Sequence, residues 1–162
     1  MAFLKPLWVT AMACGLVGLT VAKLQAAPAG GGGHAHVHPD KGPHDGALIE
    51  LGKEDYHAEL IHDAKTDTVT VYLLDASATK PVSIPAQQLT LNIRAGGKPQ
   101  QFHLPATPRA SDPDGSSAAF AVTNRQLCQA LDAPGASGRL NVEIAGKVYV
   151  GKVGSHAHSH PH

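Results

Sequence analysis

The chain reads as all-β: an antiparallel, immunoglobulin-like sandwich of about 7–8 strands with one short helix, carried between flexible His-rich arms. Three observations predict this. Short runs of alternating or β-branched residues recur from residue 47 to residue 153, with turn residues between them. Only one stretch has a helical start and stop. Histidines crowd both flanks of the strand-rich region and are sparse within it.

The strands follow in order. Ala47 to Leu51 is a short apolar run. Tyr56 to His62 alternates, and Thr68 to Leu74 is Thr-Val-Thr-Val-Tyr-Leu-Leu; the short polar Lys65-Thr66-Asp67 between them suits a hairpin. Pro81 to Ile84 is expected as a short edge strand, where proline is tolerated. Leu89, Leu91 and Ile93 alternate with polar residues, and Ala95-Gly96-Gly97-Lys98 turns the chain into Gln100 to Leu104. Ala118 to Val122 is the next strand. Asn124 is placed to cap a helix over Arg125 to Leu131, which Pro134-Gly135 ends. Leu140, Val142 and Ile144 alternate, and Val148 to Val153 closes the domain. Two polar loops, Ala76 to Lys80 and Thr107 to Ser117, interrupt the pattern.

The 162 residues divide into a leader at 1–27, a Gly/His-rich arm at 28–46, a sandwich at 47–153 and a His-rich tail at 154–162. Lys5 followed by the uncharged, largely apolar stretch Leu7 to Ala22 has the layout of an export signal and is short for a membrane span. Cleaved signal and retained anchor both remain open. Both place the body in the periplasm or otherwise outside the cytoplasm. Ala11-Met12-Ala13-Cys14 faintly resembles a lipidation site, so membrane attachment is expected only through an uncleaved N-terminus or a lipidated Cys14. Cys128, in an apolar stretch, reads as a buried, inert thiol.

Charge excludes several classes. Thirteen basic residues balance thirteen acidic ones, and the basic residues are dispersed, so nucleic acid is not expected as a partner. Aromatics make up 4% of the chain, which predicts a core built on Leu, Ile and Val. No nucleophile elbow, His-Glu-x-x-His pair or phosphate-cradling loop is present, and no enzyme activity is expected.

Eleven histidines are the outlying count. His34, His36 and His38 form one alternating series; His156, His158, His160 and His162 form another. In an extended chain, His-x-His places two rings on one side, roughly 7 Å apart at Cα, close enough to converge on one ion. An all-imidazole set suits a transition-metal ion, Zn or Cu first and Ni or Co next, and argues against Ca and Mg. His44 stands where the arm meets the first strand and is the better candidate for an ordered ligand. His57 and His62 are five apart and so face opposite sides of a regular strand. His57 shares the register of Glu59, expected to be the more solvated face, and joins the candidate ligands. His62 shares the register of Ala58 and Leu60 and reads as a core-edge histidine. His103 is expected to point outward.

The segment Gly42-Pro43-His44-Asp45-Gly46-Ala47-Leu48-Ile49-Glu50 resembles the opening of the N-terminal domains of periplasmic adaptors in heavy-metal efflux pumps of the resistance–nodulation–division class. Those domains often begin Gly-Pro-His-Gly-Gly and continue into a small β-sandwich, with a His-rich segment ahead of the motif. Asp45 departs from that pattern, standing where the first glycine of the pair is usual. The helical hairpin, lipoyl-like and barrel domains of an adaptor have no counterpart in these residues. The resemblance implies a free-standing version of the domain and extracytoplasmic metal handling, with His44 as the one ligand carried over by position.

The sequence therefore supports an extracytoplasmic transition-metal-binding protein, a buffer, chaperone or sensor. Metal ions are its expected partners, and a metal-efflux or metal-uptake protein of the envelope its expected contact. The competing reading is a structural or interaction sandwich with incidental His-rich ends. Whether the two ends meet on one edge of the body discriminates between them.

Overall fold

The computed structural model describes residues 41–154, all within one compact unit. Eight strands and one helix follow in the order β1 (Ala47–Leu51), β2 (Tyr56–Asp63), β3 (Thr68–Asp75), β4 (Gln88–Ala95), β5 (Lys98–Pro105), β6 (Ala119–Thr123), α1 (Arg125–Asp132), β7 (Ser137–Ile144) and β8 (Lys147–Val153). They form two four-stranded antiparallel sheets, ordered β1-β2-β3-β6 and β5-β4-β7-β8. The architecture is an all-β sandwich. No helix among the described residues is long and apolar enough to cross a membrane.

Period-two alternation explains most of each strand. In β3, Val69, Val71 and Leu73 are buried, and in β4 so are Leu89, Leu91 and Ile93; residues between them face outward. The buried faces of both sheets close on one core, mostly aliphatic as expected, with Phe120 the largest of its fully buried side chains. The short helix also packs into this core through Leu127, Cys128, Ala130 and Leu131. Asn124 caps it, its side-chain oxygen accepting from the Leu127 N–H at 3.1 Å. Asn124→Ala is expected to cost about 1 kcal/mol in urea unfolding, with the slope unchanged. Burial pushes the Cys128 thiol up in pKa, in keeping with an inert structural cysteine.

Two expectations need correction. Pro81 to Ile84 is not a strand: it makes only the isolated bridges Leu74↔Pro81 and Ile84↔Ser117. Pro81 and Pro85 both lack the N–H that a continuing ladder requires. The folded body also begins before residue 47. Lys41 bridges Ala47, the Gly42 N–H donates to the Gly46 carbonyl at 2.9 Å, and the Asp45 N–H donates to the Gly42 carbonyl at 3.0 Å. Residues 42–46, expected as part of a flexible arm, form a hydrogen-bonded turn.

The edge strands β1 and β8 meet across one rim. Gly151 lies against the side chains of Ile49 and Leu51, and a Cβ on Gly52 would stand 3.0 Å from the Tyr149 ring. As β8 runs forward from Tyr149 to Val153, it therefore passes β1 from Leu51 back toward Ala47. Lys41 is paired with Ala47. The described chain thus enters at Lys41 and leaves at Gly154 at the same end of the same rim.

Candidate functional site

The turn at residues 42–46 is built around one buried carboxylate. Glu59, in the middle of β2, has no exposed surface. A charge taken out of water is tolerated only when its oxygens are fully engaged. Here Oε1 accepts the backbone N–H of His44 at 2.7 Å and of Gly46 at 2.9 Å. Oε2 lies 2.7 Å from His44 Nδ1. Gly42 and Gly46 are glycine because the carboxylate side chain occupies the space their Cβ atoms would fill; at Gly46 the nearest atoms would be Glu59 Cγ and Ile61 Cγ1, both at 2.7 Å. Asp45 has φ +63°, a left-handed conformation that glycine adopts most readily and Asp tolerates better than most residues. Each position of Gly-Pro-His-Asp-Gly except Pro43 thus has a stated role in wrapping the chain over Glu59.

The tautomer of His44 follows from its neighbour. A carboxylate only accepts, so Nδ1 carries the proton, and the neutral ring keeps its lone pair on Nε2. The His44 side chain is 36% exposed. Its ring stacks on Tyr72 of β3, with centroids 4.1 Å apart and planes at 22°. Tyr72 is the direct cross-strand partner of Glu59, so sheet register places stacking surface and carboxylate side by side. The Arg109 guanidinium lies 4.4 Å from the same Tyr72 ring centroid. Asp112 shapes the loop that brings Arg109 there, accepting the Arg109 N–H at 2.8 Å and the Ser83 hydroxyl at 2.7 Å. Those two bonds, the Arg109 N–H foremost, hold the Asp112 carboxyl below its ordinary pKa. The tether is therefore complete above the usual carboxylate range and is lost as pH falls through the depressed value.

Of the residues singled out in the sequence, His44 is held in the folded body with its side chain 36% exposed. His57 is not on a solvated face: it is 1% exposed, with Nδ1 3.2 Å from the Asp75 carbonyl. Alternation placed His57 and Glu59 on one face correctly, but the chain covers that face, so both are buried. His62 lies at the core edge as expected, its side chain 5% exposed and Nδ1 3.5 Å from Asp132 Oδ1 at the end of α1. His103 is exposed, near Gln88 and Thr90. His34, His36, His38, His156, His158, His160 and His162 lie outside the described residues. Among the described residues, no group of three or more His, Cys, Asp or Glu side chains could hold a metal ion. His44, His57 and Glu59 therefore do not constitute a complete site.

Sequence reasoning missed Glu59, Tyr72 and Arg109. A glutamate set between Ala58 and the apolar pair Leu60-Ile61 in mid-strand was the available signal for Glu59. Nothing local marks Tyr72 or Arg109. Against known families, curated proteins and solved structures, the chain gives no match.

Proposed function

We propose that the protein binds transition-metal ions outside the cytoplasm, with His44 as a body-mounted ligand that works together with the His series on either side. The observation that carries this reading is the His44–Glu59 pair. Metal-ligating histidines usually donate their other ring N–H to a carboxylate or carbonyl, which fixes the tautomer and raises ligand basicity. Glu59 meets His44 Nδ1 in that manner, and Nε2 is the nitrogen left to ligate.

The geometry of the rim supports a composite site. His38 lies three residues before Lys41, at most about 11 Å of chain, and His156 two residues after Gly154. Lys41 and Gly154 are at the same end of the β1–β8 rim. Imidazoles tethered this closely have a high effective concentration around His44, so weak individual donors can add to a useful affinity. This arrangement favours metal capture over the alternative of a sandwich interaction module with incidental tails. Zn and Cu are the first candidates, Ni and Co the next.

The resemblance of Gly42 to Glu50 to efflux-adaptor domains points to the same chemistry and to an envelope efflux or uptake protein as contact. The leader-like residues 1–27 support export, by cleaved signal, retained anchor or lipidated Cys14. For the body, an immunoglobulin-like relationship is proposed on its two antiparallel layers.

Equilibrium dialysis against Zn, Cu and Ni at pH 7.5 and pH 5 tests the reading. Ligating imidazoles must be neutral, so binding is expected at the higher pH and a steep loss as pH drops through about 6. No uptake at pH 7.5, or equal uptake at both, defeats it.

A further inference from the structure

We infer that the outer face of the β5-β4-β7-β8 sheet carries a second binding site, a groove for a small polyvalent anion. It is distinct from the His44–Glu59 pair, whose carboxylate is on β2 of the other sheet. A cavity of about 720 Å³ is lined by residues of all four strands of this sheet, Asn92, Arg94, Arg139 and Lys152 among them, and is within the size range of small-molecule sites. Among the described residues, its charged lining residues are Arg94, Arg139 and Lys152, with no Asp or Glu.

Register places these cations together. Arg139 of β7 stands directly opposite Lys152 of β8, and on its other side opposite Asn92 of β4. Arg94 is two residues along β4 from Asn92, on the same face and diagonal to Arg139. Like charges directly opposite each other in a sheet repel and destabilise it. A negative charge set beside them removes that repulsion. Here none of the three is in an ion pair among the described residues. A bound anion would supply the missing charge.

The floor is also prepared. Gln101 donates its amide to Asn92 Oδ1 at 3.0 Å, which leaves the Asn92 amide N–H groups as donors toward the groove. Arg94 donates one guanidinium N–H to the Gly97 carbonyl at 3.1 Å, which anchors its head while the remaining N–H groups stay available. Neighbouring strands are about 4.8 Å apart, so a ligand that touches all three cations needs two or three anionic groups at roughly that spacing. Di- and tricarboxylates and phosphate esters have that chemistry. A single chloride or an uncharged solute does not.

The test uses metal-free purified protein titrated with citrate, with inorganic pyrophosphate, and with glycerol as the uncharged control. Backbone amide shifts and calorimetry are read. Expected are saturable shifts at Asn92, Arg139 and Lys152 with citrate or pyrophosphate, a Kd of roughly 1 mM or tighter, and none with glycerol. The stronger of the two probes identifies carboxylate or phosphate as the preferred group. Arg139→Ala and Lys152→Ala, both at exposed positions, are each expected to weaken binding about tenfold while the circular dichroism spectrum is retained. Shifts that do not saturate, that fall on histidines instead, or that persist unchanged in both variants overturn the assignment.

Discussion

Glu59→Gln is expected to leave the sandwich folded and to weaken Zn binding by about 10- to 100-fold. The introduced amide is nearly isosteric, and its oxygen can still accept the backbone N–H groups of His44 and Gly46 that Glu59 Oε1 accepts now. Its nitrogen, however, donates. Facing a donor, His44 Nδ1 must accept, and the ring proton moves to Nε2. The outward nitrogen then has no lone pair to offer without a tautomer change that breaks the new bond. The loss in folding stability should be about 1 kcal/mol, because three charge-assisted hydrogen bonds become neutral ones while the cost of burying a charge is removed. Two measurements decide the matter: a competitive Zn titration, and long-range nitrogen shifts of the His44 ring. Wild-type affinity alongside a switched tautomer would remove His44 from the ligand set. His44→Ala should lower affinity by a similar factor, and the double variant should lose little more.

Gly46→Ala is the substitution expected to damage the fold most for the smallest chemical change. The added methyl would stand 2.7 Å from Glu59 Cγ, 2.7 Å from Ile61 Cγ1 and 2.8 Å from the Leu60 carbonyl oxygen. The last is backbone of a central strand and cannot yield. The turn must lift, and Glu59 then loses its donors while still buried. Overpacking and an unsatisfied buried carboxylate together should cost about 3 kcal/mol. For a domain of this size that is a fall of roughly 15 °C in Tm. Gly154→Ala is the control. Nothing lies within 4 Å of the site of its Cβ and its φ is not positive, so Tm should hold. Equal melting of the two variants would mean that residues 42–46 are not clamped on Glu59 as described.

Several features were legible because they depend only on local periodicity. Apolar runs, β-branched stretches and alternation marked β1 through β8, and Asn124 with Pro134-Gly135 bounded α1 within a residue. Pro81 to Ile84 misled because Pro-Val-Ser-Ile satisfies a short strand pattern, while the ladder needs N–H groups that prolines do not have. His57 misled for a different reason. Period two assigns residues to faces but does not say which faces are covered, and here the outer face at His57 and Glu59 is closed over.

The strand set, the single capped helix, the aliphatic core and the concentration of imidazoles at both flanks of the body follow from the residues read in order. These are properties of neighbouring residues and of composition. Packing of the two sheets was needed to reveal that Glu59 is the centre of the 42–46 turn, that His44 and Arg109 both lie against the Tyr72 ring, and that Lys41 and Gly154 leave one rim together. Each of those joins residues far apart in the chain through strand register and sheet packing, and that register is set by burial of the whole core.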